Sequence, residues 1–193
     1  MIKKIKKFCI FIFFSSVLLF AQTEQVKILN NRDYFPVVSQ LINNATKSIY
    51  LVMYEINYYE DYSESPTNQL INSLIKASQR GVKVEVILEQ SKGKFYENIT
   101  KENLSVGIYL ANNGVKVYMD SLDTTTHAKL LIVDSKYVVL GSTNWSYYSF
   151  EKNNETNVLI ESEELAKNFF VYFQKLKDIS ISSLTPKQSK KKH

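Results

Sequence analysis

A chain of 193 residues is long enough for one domain with a sizeable hydrophobic core, and its 45% hydrophobic content excludes a largely disordered protein. The formal net charge is +5, but four lysines lie in residues 1–21 and four in residues 179–193, so the part between them carries −3. Overall charge therefore gives no argument for nucleic-acid binding, and any affinity for a polyanion must come from local lysine clusters and the C-terminal tail.

The N-terminus has the pattern of an export signal. Residues 1–7 are basic, residues 8–20 form an apolar run that is short for a membrane-spanning helix, and polar residues follow Ala21. We predict a signal peptide over residues 1–21 and an exported protein of the periplasm, the cell envelope or the medium. An uncleaved anchor, which would allow membrane contact, is the alternative. Cys9 is the only cysteine and lies in this segment, so the mature protein would have no disulfide and no cysteine metal site.

Beyond residue 21, apolar runs typical of strands alternate with segments of helical periodicity. Pro66 and Gly81 are start and stop signals for one helix, and Gly114 is a stop signal for another. The predicted strands are 26–29, 48–56, 82–88, 115–119, 130–133, 138–140 and 155–160, and the predicted helices are 33–44, 66–80, 102–113 and 163–177.

This alternation predicts an α/β fold, with a mixed β-sheet flanked by helices on both faces in a single domain over residues 22–178. Residues 57–65 form an acidic, tyrosine-rich loop. The polar segment 89–103 is either a solvated loop or a basic lip over a site for a polyanion. Residues 179–193 have little patterning and are predicted to be a basic flexible tail.

The polar residues with the most chemical potential lie within a short region of apolar strands. His127 and Lys129 are two residues apart, so in an extended strand their side chains project from the same face. A nucleophile beside a cation suits an anionic electrophile, for which phosphate is the obvious candidate. An incidental His and Lys on a surface strand is the alternative. Four further candidates follow in the same region: Asp134, Ser142, Asn144 and Glu155.

The spacing of these residues resembles the signature of the phospholipase D superfamily. The chain reads His127-x-Lys129, four residues, Asp134, six residues, then Gly-Ser-x-Asn ending at Asn144. The resemblance is strongest to short bacterial members that carry one copy of the motif and act as nucleases, and Glu155 falls where that branch has a carboxylate. It implies a phospholipase D-like nuclease domain and metal-independent cleavage without a cofactor.

The chemistry of phosphodiester cleavage suggests a role for each residue of the motif. It needs a nucleophile, groups that stabilise charge on the phosphate oxygens, and an acid for the leaving alkoxide. We expect His127 to attack phosphorus and form a phosphohistidine, with Lys129 and Asn144 holding phosphate oxygens. The resemblance implies that Glu155 orients the imidazole. Ser142 is expected to donate a hydrogen bond to the site or to that carboxylate. Asp134 is counted with the catalytic set as a motif member, in a structural hydrogen-bonding role near the site.

The number of histidines predicts the assembly. The only histidine besides His127 is His193, at the end of the predicted tail. If one imidazole attacks and another protonates the leaving group, the second must come from another chain. A homodimer with the active site at its twofold interface meets this need, and the resemblance implies the same, because larger relatives carry two motifs in one chain. Glu155 would then orient His127 of its own chain or of the partner.

Alternatives remain at three points. Asp120 and Asp123 precede the motif and would suit a carboxylate magnesium site, although loop residues are the simpler interpretation. The aromatic residues after Asn144 either pack in the core or an interface, or stack on nucleobases. The predicted substrate is DNA or RNA, cleaved without sequence preference; the alternatives are a phospholipid such as cardiolipin and a binding module without turnover. The aromatic residues are Trp145, Tyr147, Tyr148 and Phe150.

Overall fold

The computed structural model describes residues 25–93, 97–180 and 182–184. The predicted signal peptide and residues 185–193 of the predicted tail lie outside these ranges. The strands are β1 Gln25–Asn30, β2 Ser48–Met53, β3 Lys83–Leu88, β4 Lys116–Met119, β5 Lys129–Val133, β6 Tyr137–Gly141, β7 Thr156–Glu161 and β8 Ser182–Leu184. The helices are α1 Tyr34–Asn44, α2 Pro66–Gln79, α3 Glu97–Asn112, α4 Tyr147–Glu151 and α5 Glu163–Ile179, with a 3-10 turn at Asn31–Asp33.

All eight described strands form one sheet in the order β1-β7-β6-β5-β2-β3-β4-β8. The pairs β2–β3 and β3–β4 are parallel, because α2 and α3 return the chain to the same end of the sheet. The other neighbouring pairs are antiparallel. The predicted mixed sheet is therefore confirmed.

Helices cover both faces of the sheet, as predicted. On one face, α1, α2 and α3 bury residues such as Ile42, Leu74 and Leu110 in the larger core cluster. On the other face, α5 buries Phe173 and Leu176 in a second cluster with residues of β2, β5 and β6. The central strands β2 and β5 are buried along their whole length, which explains their continuous apolar runs.

Local signals set the ends of α2 and α5. Ser65 caps α2 by accepting a hydrogen bond from the Asn68 amide, and Pro66 occupies the first turn. After α2 the chain turns at Gly81, whose φ of 88° is strained for residues with a Cβ. Ser162 caps α5 in the same way, through the Leu165 amide.

Two parts of the chain are more ordered than the sequence predicted. Helix α3 begins at Glu97, five residues before the predicted start, so half of the predicted polar loop is helical. Gly107 lies inside α3 because that helix packs closely on the sheet: a Cβ there would lie 2.8 Å from Leu184 Cδ1 and 3.3 Å from Val117 Cγ1. Strand β8 lies within the predicted tail and pairs with β4 at the sheet edge. Of the described helices, none combines the length and apolar character needed to cross a membrane.

Candidate active site

The start of β5 holds the histidine and lysine of the motif together. Lys129 Nζ donates to the His127 carbonyl oxygen at 2.8 Å and lies 3.2 Å from His127 Nε2. The Lys129 side chain is buried, whereas His127 is exposed. Because an ammonium group only donates, Nε2 must accept this hydrogen bond, and the ring proton lies on Nδ1. The nitrogen beside the lysine is therefore the unprotonated one, which is the form in which an imidazole can attack an electrophile.

Tyr54, which follows β2, packs against both groups. Its ring meets the imidazole of His127 edge-on, with centroids 4.3 Å apart, and Lys129 Nζ lies 4.6 Å from the centre of the same ring. A cation over an aromatic face is stabilised by the ring quadrupole. Tyr54 thus packs against the imidazole and helps to hold the buried ammonium group.

Glu155 is anchored just before β7 by hydrogen bonds to both its side chain and its backbone. Ser142 Oγ donates to Glu155 Oε2, and Asn153 Nδ2 donates to Oε1 at 3.0 Å. The Glu155 amide donates to Asn31 Oδ1 at 2.7 Å, and the Asn31 amide donates to the Glu155 carbonyl at 2.9 Å. Asn31 adopts a positive φ of 50°, a conformation that asparagine tolerates better than most residues.

The Glu155 carboxylate is held in its ionised form. Burial alone would raise its pKa, but hydrogen bonds from Ser142, Asn153 and Ser149, with the positive charge of Lys129, bring the pKa below its usual value. A negative charge therefore faces the lysine at neutral pH.

A second carboxylate, which the sequence analysis missed, belongs to the site. Asn144 Nδ2 donates to Glu55 Oε2 at 3.3 Å, and Asn57 Nδ2 donates to Glu55 Oε1 at 3.1 Å. The negative charges of Glu155 and Glu55 both favour the protonated form of Lys129. Glu55 lies two residues after Met53, which pairs with Lys129 where β2 meets β5. Its place in the site depends on that pairing, which the sequence alone does not give.

Burial controls the proton affinity of the two basic groups. Burial lowers the pKa of Lys129 although both carboxylates favour its charged form. Burial and the charge of Lys129 together lower the pKa of His127 below its usual value of 6.5. The imidazole is therefore neutral at pH 7, as a nucleophile must be.

Asp134 lies away from the site, which corrects the expectation that it is a nearby member of the catalytic set. It follows the other end of β5, about 16 Å from Lys129 at roughly 3.3 Å per residue. Its carboxylate accepts hydrogen bonds from the amides of Thr46, Lys47 and Ser48 at 2.7 to 3.2 Å, and from the Thr46 hydroxyl at 3.1 Å. Asp134 therefore fixes the turn that begins β2, and its role is structural.

The remaining sequence candidates divide by burial. Trp145 and Phe150 are core residues, with Trp145 Nε1 donating to the Tyr34 hydroxyl at 3.1 Å. Tyr147 and Tyr148 are 46% and 68% exposed, so packing does not account for them. Asp120 is fully buried and Asp123 lies in an exposed loop. Within the described ranges, no group of three or more His, Cys, Asp or Glu residues is arranged to hold a metal ion.

Five of the six motif residues therefore converge on the ends of β2, β5 and β6. The arrangement offers a neutral imidazole in contact with an ammonium group, two carboxylates whose charges act on that ammonium group, and an amide that donates to one of the carboxylates. The Asn144 Oδ1 atom is buried and has no hydrogen-bond partner within the part of the chain that the structure describes. The five residues are His127, Lys129, Ser142, Asn144 and Glu155.

Comparisons with known sequences give matches over most of the chain. The family model described as "Cardiolipin synthase, PLD-like domain" matches residues 38–177. Phospholipase D of Rickettsia typhi is 28% identical over 132 residues, which cover 68% of this chain and 57% of the relative. Cardiolipin synthase 1 of Staphylococcus epidermidis is 30% identical over 150 residues, which cover 78% of this chain and 28% of that protein. The chain thus spans little more than half the length of the phospholipase D sequences that it matches.

Solved structures share the fold over most of the chain. Nuc of Salmonella typhimurium, a phospholipase D family member, superposes with a TM-score of 0.71 at 23% identity, covering 84% of this chain and 99% of Nuc. NucT of Helicobacter pylori superposes with a TM-score of 0.65 at 20% identity, covering 83% and 99% of the two chains.

Proposed function

This chain belongs to the phospholipase D superfamily, and we propose that it is a phosphodiesterase that cleaves nucleic acid without sequence preference. In this proposal the protein is exported, acts as a homodimer and forms a phosphohistidine intermediate. The observation that carries the proposal is the contact between Lys129 Nζ and His127 Nε2. It supplies a neutral nucleophile and a phosphate-binding cation at the same point.

In the first half of the reaction, His127 Nε2 attacks phosphorus and the bond to the leaving alkoxide breaks. Lys129 then exchanges its contact with the ring for one with a phosphate oxygen, and Asn144 donates to another. The imidazole of His127 becomes positively charged as the N–P bond forms. The partner subunit's His127 enters this step protonated, so that the dimer works with one neutral and one protonated imidazole, and it gives its proton to the leaving oxygen.

In the second half, water attacks phosphorus and the N–P bond breaks. The partner subunit's His127, now neutral, takes a proton from that water and is ready for the next cycle. Glu155, held ionised by its hydrogen bonds, and Glu55 offset the positive charge of Lys129 and of the imidazolium.

Mixing wild-type chains with His127→Ala chains should reveal a shared site. We compare an equal mixture with the same total amount of wild-type protein. If both imidazoles are required and chains exchange at random, the mixture should have about one quarter of that activity, because only dimers with two wild-type chains turn over. Activity is measured after unfolding and refolding the mixture together. Retention of one half would mean that each chain works alone and would contradict the composite site.

Activity should persist when divalent cations are removed. The scheme assigns charge stabilisation to Lys129 and Asn144, so purified protein in excess EDTA should cleave its substrate at close to the full rate. Single-stranded DNA, double-stranded DNA, RNA and cardiolipin are compared side by side. Complete loss in EDTA that magnesium restores would remove the covalent-histidine scheme.

A phospholipid is the second candidate substrate. The matching relatives named phospholipase D and cardiolipin synthase favour it, and the same attack on phosphorus serves a lipid phosphodiester. The single-motif format, in which the sequence resembles short bacterial nucleases, favours the nucleic acid. In the substrate panel, cleavage of cardiolipin with no cleavage of either nucleic acid would reverse this order.

A further inference from the structure

A cavity of about 820 Å³ lies between the tyrosine-rich loop after β2 and helix α4. Its volume is within the range of sites that bind small molecules. Four of its ten lining residues are tyrosines, and they come from two separate parts of the chain. The tyrosines that line it are Tyr59, Tyr62, Tyr147 and Tyr148.

Hydrogen bonds connect this cavity to the catalytic residues. Glu55, which accepts from Asn144, also accepts from Asn57 Nδ2, and the same nitrogen donates to the Tyr59 hydroxyl at 3.3 Å. That hydroxyl accepts from the Tyr147 amide at 2.9 Å. Two side chains, those of Glu55 and Asn57, therefore link Asn144 of the candidate active site to Tyr59 in the wall of the cavity.

The loop is held in place before any ligand binds. Asn68 is fully buried in α2, and its Nδ2 donates to the carbonyl oxygens of Tyr59 and Tyr62 at 2.7 and 3.1 Å. Its Oδ1 accepts from the Tyr59 amide at 3.0 Å. A buried amide with three backbone partners fixes both tyrosines of the loop, so binding would cost little ordering of this wall.

The chemistry of the lining excludes phosphate and suits a flat group with amino hydrogens. Three carboxylates line the cavity, those of Asp61, Glu64 and Glu151, and its described lining residues include no lysine, arginine or histidine. Carboxylates would repel a phosphate group but accept hydrogen bonds from exocyclic amines. The Tyr148 ring, 68% exposed, offers a face on which a base can stack.

We propose that this cavity is a subsite for the unpaired nucleobase next to the scissile phosphate, with Tyr148 as the stacking platform. The carboxylates select adenine, cytosine and guanine, which carry amino groups, over thymine and uracil. This inference rests on the proposed nuclease function and adds to it a preference for single strands and for amino-bearing bases.

The first test separates stacking from chemistry. Tyr148→Ala should raise KM for a single-stranded oligonucleotide about tenfold, whereas Tyr148→Phe should change it less than twofold because the ring remains. The kcat for bis(4-nitrophenyl) phosphate, a small diester without a nucleobase, should be unchanged in both, because stacking contributes to binding and not to the chemical step. Tyr172→Ala, at a 41% exposed tyrosine of α5 on the other face of the sheet, is the control. A wild-type KM in Tyr148→Ala, with nucleic acid still cleaved, would overturn the subsite and leave the nuclease function intact.

The second test concerns base selection. Wild-type protein should cleave an oligomer of deoxycytidine several-fold faster than one of deoxyuridine, because only cytosine carries the amino group. The double variant Glu64→Gln/Glu151→Gln should lose much of that difference, since an amide offers one acceptor and adds a donor. An equal rate for the two oligomers in wild type would overturn the selection.

Two other occupants give distinct results. If Tyr148→Ala dissociates the dimer in sedimentation, the cavity is a subunit interface and the subsite is overturned. If wild-type protein cleaves the small diester and choline or ethanolamine phosphodiesters but no oligonucleotide, the proposed nuclease function fails together with the subsite, and a cationic headgroup is the occupant.

Discussion

Replacement of His127 by alanine is expected to reduce hydrolysis at least about 10⁴-fold and to leave thermal stability unchanged. The activity falls because, in the proposed scheme, His127 is the nucleophile and His127 of the partner subunit is the general acid, so one substitution removes both. The stability is kept because the His127 side chain is exposed and its ring contact is with Tyr54 alone among the described aromatic residues. The measurements are kcat in EDTA and the melting temperature of the same preparation.

The second histidine of the chain provides the matched control. His193→Ala removes the other imidazole and should leave kcat unchanged. A His127→Ala protein that retains activity within tenfold of wild type would contradict the assignment of the nucleophile. Labelled substrate quenched during turnover should leave a covalent phosphorus adduct on wild-type protein and none on His127→Ala.

Replacement of Asp134 by alanine is expected to have the opposite effect. We expect the free energy of unfolding to fall by about 3 kcal/mol and the melting temperature by about 9 °C. The carboxylate holds three amides and a hydroxyl at the start of β2, and alanine is also strained at the φ of 54° found there. The chemical step should change little, because Asp134 is a strand's length from Lys129.

Two variants and a pH series test this role. Asp134→Asn keeps one acceptor oxygen and tolerates the positive φ, so its loss of stability should be intermediate, while Asp123→Ala in an exposed loop should have no effect. Hydrogen bonds from Ser48, Thr46 and Lys47 outweigh burial and lower the pKa of Asp134. Its stabilisation is therefore present above the ordinary pKa of an aspartate and is lost as pH falls through the lowered value. A stability difference that stayed constant into strong acid would contradict the ionic role.

Much of the fold could be predicted because its strands are either buried or alternating. The continuous apolar runs of β2 and β5 mark strands covered on both faces, and Gly81 and Gly114 mark helix ends through their positive φ angles. Elements that depend on tertiary contacts were missed. Helix α4 has only five residues, and β8 has three residues that become a strand by pairing with β4.

The sequence predicts which site residues lie together only where they are two positions apart on one strand, so that their side chains project from the same face. His127 and Lys129 satisfy that rule. Asp134 does not, because the five residues of β5 separate it from the Lys129 end of the strand, although the two are close in sequence. Glu55 reaches the site across the pairing of β2 with β5, and that pairing is set by the three-dimensional sheet order, which no local pattern encodes.

The reciprocal hydrogen bonds between Asn31 and Glu155 constrain the order in which the chain folds. These two residues are 124 positions apart, and they meet only after the first described strand has joined the edge of a sheet whose other members are made later. In a growing polypeptide, the contacts between Asn31 and Glu155 therefore cannot form until most of the chain has been synthesised and β1 has paired with β7. Completion of the Glu155 anchor is then a late event of folding, which requires the long-range pairing of β1 with β7.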